Sequence, residues 1–276
     1  MTEKKFPEPI EALVVILITF GFIFAVTFII TLMAFLLKTD SILEGNTSYL
    51  FIVGGLIFLA VPVFYVKIKN YNYREIFRLN VPPGEVMLLA APIGVSLAVL
   101  TDELDRVMQM FIPPPESFLT YMESLRAETT GDWIMLIFGV VIIAALSEEI
   151  LFRGFLQVSL ERKGDITRAV LLSSVSWTVI HINPYWAIQI FITGVIIGFL
   201  AWRTDSVYPS MVVHATNNLL SLIVINLDPE ASMEWYNWGD HVSPVLLIIA
   251  AVVLVLSIRR VSHLYTQSYD KYEKIV

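Results

Sequence analysis

The chain has 276 residues, 57% of them hydrophobic and 16% charged, where an ordinary soluble domain carries about 25% charged residues; its mean hydropathy is +0.73. This excludes a soluble globular enzyme and a disordered chain, and a formal net charge of -7 leaves no basic surplus for a nucleic-acid backbone. The absence of cysteine removes disulfides, thiol catalysis and thiolate metal sites; what remains is an all-α, polytopic membrane protein.

A span needs about 20 apolar residues, and eight stretches answer to that in chain order: Ile10 to Leu37, Tyr49 to Val66, Glu85 to Thr101, Trp133 to Val158, Ile166 to Asn183, Trp186 to Trp202, Val207 to Ile225 and Val245 to Ile258. Lys4 and Lys5 precede the first, but its apolar run is too long for a signal peptide and no small-residue cleavage site follows, so it reads as a retained span. Between the second and third, Asn70 to Pro83 mixes Tyr71, Tyr73, Ile76, Phe77 and Leu79 with Arg74 and Arg78. That pattern suits a short helix lying on the cytoplasmic surface, or a solvated loop. Ile112-Pro113-Pro114-Pro115 breaks any helix and marks an outside elbow or re-entrant turn.

Basic residues test the count independently, because cytoplasmic loops collect Lys and Arg. With the N-terminus inside, fifteen basic residues fall inside: Lys4, Lys5, Lys67, Lys69, Arg74, Arg78, Arg153, Arg162, Lys163, Arg168, Arg203, Arg259, Arg260, Lys271 and Lys274. Three fall outside, Lys38, Arg106 and Arg126, and both termini become cytoplasmic. The outside loops are acidic or aromatic, with Asp102, Glu103, Asp105 and Glu116 in one and Asp228, Glu230, Glu234, Trp235, Trp238 and Asp240 in another. No repeat or domain boundary is visible, so residues 1–276 read as one membrane domain.

Ionisable groups inside a span are costly and usually line a site or a path. The fourth stretch carries Ser147-Glu148-Glu149-Ile150-Leu151-Phe152-Arg153. Glu149 and Arg153 stand at i and i+4 and can pair, while Glu148 projects about 100° away; a helix end with solvated charges would look the same. The fifth stretch carries Trp177, then His181, Asn183 and Pro184; the seventh carries His214 and Asn218 on one helical face. A lone histidine near a span end is more often an interfacial or satisfied core residue than a ligand, and a His/Asn pair reads equally well as interhelical glue. At about 1.5 Å per residue the three elements reach a common depth, read as a layer on the cytoplasmic side. One carboxylate, two imidazoles and a carboxamide are the parts for activating a water and stabilising an oxyanion. Gly194 and Gly198 stack on one face between these elements and read as close packing.

With Glu148-Glu149-x-x-x-Arg153, an aromatic-x-x-x-His ending at His181, and His214-x-x-x-Asn218, the chain resembles the CPBP family, also called ABI, which contains the type II CAAX prenyl endopeptidases. The resemblance covers about Trp133 to Ile225, and Trp177 stands where the family usually has Phe, leaving an aromatic wall. It implies an all-helical, glutamate-dependent intramembrane endopeptidase acting on membrane-anchored peptides or proteins, with no cofactor. Glu148 would be the base, His181 its assistant, His214 and Asn218 the oxyanion donors, and Glu149 with Arg153 the pair that holds Glu148. Glu148, His181 and His214 could also fill three positions on zinc, although the reading favoured here has no metal. A silent family member acting as an immunity or scaffold protein is the alternative, and a proton-relaying transporter a third reading. The expected location is a bacterial or archaeal cell membrane, with the site opening to the cytoplasm.

Overall fold

The computed structural model describes residues 6–37, 48–227 and 233–273. Of the residues used in the sequence reading, Lys4, Lys5, Lys38, Asp228, Glu230 and Lys274 lie outside them. The fold is an all-α, polytopic helix bundle. Its elements are α1 (Pro9–Leu37), α2 (Ser48–Ile68), α3 (Tyr73–Ile76), α4 (Gly84–Phe111), α5 (Glu116–Glu123), the long helix α6 (Thr130–Lys163), α7 (Ile166–Ile180), α8 (Ala187–Thr204), α9 (Tyr208–Ile225) and α10 (Pro244–Glu273). A two-residue ladder, β1 (Asn237–Trp238) with β2 (His241–Val242), precedes α10.

Among the described residues six helices, α1, α2, α4, α6, α8 and α10, are long and apolar enough to cross a membrane. The other two expected spans, α7 and α9, are helices but fall short of that measure: α7 has only 15 residues, and α9 carries Ser210, His214, Thr216, Asn217 and Asn218. The reason is what they face. Ser173 of α7 donates to the Phe152 carbonyl at 2.9 Å, and Ser210 of α9 to the Ile197 carbonyl at 2.8 Å. These hydroxyls are satisfied within the bundle interior, where hydropathy is a poor guide.

The lengths also depart from expectation. α4 runs on from Thr101 to Phe111, and α6 extends beyond Trp133 to Val158 at both ends. α6 starts on a capping box in which Thr129 accepts from the Asp132 N–H while the Asp132 carboxylate accepts from the Thr129 N–H. It is interrupted by two π-helical stretches, Ile137–Ile143 and Ile150–Leu156, which flank the Glu pair.

The segment 70–83 is neither a surface helix nor a solvated loop. Only Tyr73–Ile76 is helical; Ile76, Phe77 and Arg78 are buried, and Leu79 bridges to Ser206. Phe77 packs on Phe155 and near Gly154, whose hydrogen leaves room for the Phe77 backbone. The segment is a strap seated on α6, with Arg78 paired to Glu161 and bonded to the Arg153 carbonyl at 3.3 Å.

The basic residues gather at one end. Lys69 pairs with Glu11 at 3.1 Å, Lys163 with Glu8 at 2.9 Å and Arg260 with Glu85 at 2.5 Å, while Arg203 donates to the Ser262 carbonyl at 2.7 Å. At the other end Tyr236 donates to Asp102 at 2.9 Å, the Glu103 carboxylate accepts from His241 and from the Val242 N–H, both at 2.7 Å, and Asn226 donates to the Leu125 carbonyl at 3.1 Å. Among the described residues assigned to the inside segments Arg153 is the exception: it lies within the bundle, fully buried. Without it, eleven of the described basic residues are assigned inside, against Arg106 and Arg126 outside.

Candidate active site

α6, α7 and α9 bring the polar residues together. Glu149 and Arg153 are both 0% exposed and pair at 3.1 Å, as their i and i+4 spacing predicts. The guanidinium also lies 4.2 Å over the Trp177 ring and reaches the Gly194 carbonyl at 3.5 Å. His214 donates from Nδ1 to the same Glu149 oxygen at 2.9 Å. Because an ionised carboxylate only accepts, this bond assigns the proton to Nδ1 and leaves Nε2 as the outward ring nitrogen. Glu149 therefore serves two groups, whereas the spacing alone revealed one.

Glu148 is half-buried, and its Oε2 accepts from the Trp177 indole N–H at 2.6 Å. Trp177 is the residue that sequence reasoning undervalued. Its carbonyl accepts from His181 Nδ1 at 2.7 Å, and its ring stands edge-on to His181 and His214, with centroids 5.1 and 5.2 Å away. The signal was present in the sequence: an indole carries an N–H donor that a phenyl ring lacks, and a donor beside a carboxylate has consequences that a wall does not.

His181 is held by a local turn. Ile182 adopts φ 49°, Pro184 cannot continue the helix, and the Asn183 side chain accepts from the Tyr185 and Trp186 N–H groups at 3.1 and 3.3 Å. α7 thus ends at His181, which caps it and is exposed. Its Nδ1 is committed to a carbonyl acceptor, so Nε2 carries the lone pair of the neutral ring.

Asn218 is one turn beyond His214, but its Nδ2 donates to the Val140 carbonyl in the first π-helical stretch of α6 at 2.9 Å. One amide proton is engaged there and one remains. Gly194 and Gly198 do pack closely, against side chains: an added Cβ would stand 3.1 Å from Trp177 and Ser174 in the first case and 3.0 Å from Gln157 in the second. Among the described residues no three of His, Asp and Glu converge as ligands for a metal ion, and Glu149, not Glu148, holds His214. The donor set does not fit the three-ligand zinc site.

The site residues stand well along their helices from the basic end of the bundle. Gly194, level with Arg153, lies about 15 Å along α8 from Thr204, and His181 lies at the far end of α7, about 22 Å from Ile166, at 1.5 Å per residue. Gln189 at the start of α8 donates to Asp105 at 3.3 Å, and Tyr185 and Trp186 pack on Phe118 of α5. A cavity of about 170 Å³ there is lined by Asp105, Met108, Gln109, Ile112, Pro184 and Tyr185. Tyr121 of α5 lies in the field of Glu148: desolvation, then that negative charge, push its phenol above the ordinary range, although 42% of the residue remains exposed.

Residues 130–220 match a family model described as type II CAAX prenyl endopeptidase Rce1-like. The matched region contains Glu148, Glu149, Arg153, His181, His214 and Asn218. Comparison with curated proteins and with solved structures gives no match.

Proposed function

From an Rce1-like region at residues 130–220, which supports assignment of the chain to the CPBP, or CAAX-protease, family and implies a protease, we propose a glutamate-dependent intramembrane endopeptidase that hydrolyses membrane-anchored peptides or proteins in a bacterial or archaeal cell membrane. The observation that carries this reading is the division of labour between adjacent carboxylates. Glu149 is neutralised by Arg153 and His214, whereas Glu148 is half-buried, held by one donor on Oε2, and has Oε1 without a protein partner among the described residues.

In the proposed reaction Glu148 takes a proton from water as the water oxygen attacks the scissile carbonyl carbon. The carbonyl π electrons move to oxygen, giving a tetrahedral oxyanion. His214, held through Nδ1 by Glu149, donates from Nε2 to that oxyanion, which requires the doubly protonated ring; the second amide proton of Asn218 is the other donor. When the C–N bond breaks, the proton held by Glu148 passes to the departing amine, with His181 Nε2 as a relay. Arg153 balances the charge of Glu149 and does not touch the reacting atoms.

The test is cleavage of a panel of membrane-anchored peptides, prenylated and unprenylated, by purified wild-type protein and by Glu148→Gln, with and without a chelator. Wild-type cleavage that Glu148→Gln lacks and a chelator spares is expected. No cleavage by any form would favour a silent scaffold or immunity protein, and loss on chelation restored by zinc would overturn the metal-free mechanism.

A further inference from the structure

Three carboxylates stand near the end of α4, and two of them are already engaged. Asp102 pairs with Arg106 at 3.1 Å and accepts from Tyr236 at 2.9 Å, while Glu103 accepts from His241 and from the Val242 N–H, both at 2.7 Å. Asp105 differs. Its Oδ2 accepts from Gln109 at 2.8 Å and its Oδ1 from Gln189 at 3.3 Å, and both donors are neutral amides. No Lys, Arg or His among the described residues forms an ion pair with it. A carboxylate offers about four acceptor positions, so two amides leave about half of that capacity unused. Asp105 is partly buried and lines the cavity of about 170 Å³ with Gln109, while Met108, Ile112, Pro184 and Tyr185 supply mostly apolar walls.

A cavity of about 150 Å³ holds a group the size of benzene, so this one takes a single side chain. Its chemistry selects which. Lys and Arg carry an apolar stem that suits the walls and a cationic head that suits Asp105. An apolar side chain would desolvate the carboxylate without a counter-charge, and an acidic one would meet a like charge. The cavity also stands close to the reacting atoms. Pro184 follows His181 by three residues, at most about 11 Å along the chain, which is the reach of about three extended residues. Phe118 packs on Tyr185 of the cavity wall and on Trp186, and Trp186 in turn meets Tyr121, which feels the charge of Glu148. We infer that this cavity is a specificity subsite for a Lys or Arg side chain of the substrate, within three residues C-terminal to the scissile bond, with Asp105 as its counter-charge. The C-terminal side follows from His181, which serves the departing amine, and so rests on the protease reading above; the affinity of the cavity for a cation does not.

The test uses lipid-anchored peptides in proteoliposomes, each with Lys, Arg, norleucine or Glu at one of the three positions after the scissile bond. At one of these positions wild-type protein should cleave the Lys and Arg peptides with a kcat/KM about ten- to a hundredfold above that of norleucine, the range of one hydrogen bond to a charged group. The Glu peptide should be slowest. Asp105→Asn should bring the ratio of Lys to norleucine close to one; a general loss of folded protein would leave that ratio unchanged, because it scales both rates alike. Asp102→Asn removes a neighbouring charge outside the cavity and should keep the ratio. An equal fall in Asp102→Asn would assign the preference to the general acidic field and overturn the subsite, as would a wild-type ratio near one or a ratio that survives Asp105→Asn. Binding of the same peptides to Glu148→Gln, with and without Asp105→Asn, separates this claim from catalysis. Tighter binding of the Lys peptide that Asp105→Asn abolishes would uphold the subsite even if no peptide is cleaved, and binding blind to that charge would overturn it.

Discussion

At the scale of single residues, adjacent Glu148 and Glu149 have opposite fates because the helix turns them to different surroundings. The i and i+4 spacing made the Glu149 and Arg153 pair legible. That His214 joins the same oxygen was not, because the bond crosses from α6 to α9 and no spacing encodes it. Glu149→Gln leaves a buried guanidinium and an imidazole without their anion, and truncating one partner of a buried pair costs about 3 to 5 kcal/mol. Unfolding in detergent should register a loss of that order for Glu149→Gln. For Glu148→Gln it should stay within about 1 kcal/mol, since the amide oxygen still accepts from Trp177; equal losses would contradict the assignment. Trp177→Phe keeps a ring under Arg153 and between the imidazoles but deletes the donor to Glu148. A hydrogen bond to an ion contributes about 1.5 to 3 kcal/mol, part of which orients Glu148. The variant is therefore expected to cleave more slowly by up to about tenfold with its helical content intact by circular dichroism; complete inactivity would make Trp177 more than a positioning residue.

At the scale of elements, caps and breakers were readable, while departures from regular helix were not. The break after Phe111 and the turn at Pro184 follow from proline chemistry in the sequence. The two π-helical stretches in α6 have no local sequence mark; π-turns are set by what the helix must reach, and recur at functional sites. Carbonyls in and beside these stretches serve groups from other elements: Val140 accepts from Asn218, Phe152 from Ser173 and Arg153 from Arg78. The strap at 70–83 departs from expectation for a related reason, since its aromatic pattern suits a membrane surface whereas Phe77 packs on Phe155 of α6 and Tyr71 on Tyr65 of α2. Close approach between α4 and α9 holds His214 in place: a Cβ on Gly94 would lie 2.7 Å from Thr216 Cβ and 2.9 Å from the Val213 carbonyl. Gly94→Ala must push α9 away from its neighbour, and overpacking of this kind costs about 1 to 3 kcal/mol. Thermal unfolding and the cleavage rate should both fall, and an unchanged rate would mean that the placement of α9 does not control the site.

For the whole molecule, composition alone established a polytopic helical membrane protein, and most long helices lie where apolar runs placed them. α7 and α9 sit at the limit of that method because helices facing a polar interior carry serine, threonine, asparagine and histidine in place of leucine. The same polarity that lowers their hydropathy supplies His181, His214 and Asn218. The depth of the site was less legible. It depends on which carbonyl of α8 each side chain of α6 meets, as Arg153 meets Gly194 and Gln157 meets Gly198 at 2.9 Å. The account stands most directly on Glu148 as the base. Its most direct test is the cleavage rate of Glu148→Gln beside wild-type protein in the same proteoliposomes, with folding matched by thermal unfolding. Removal of a general base is expected to lower the rate by about 10² to 10⁴ at an unchanged melting temperature, and a folded Glu148→Gln variant cleaving at the wild-type rate would contradict it.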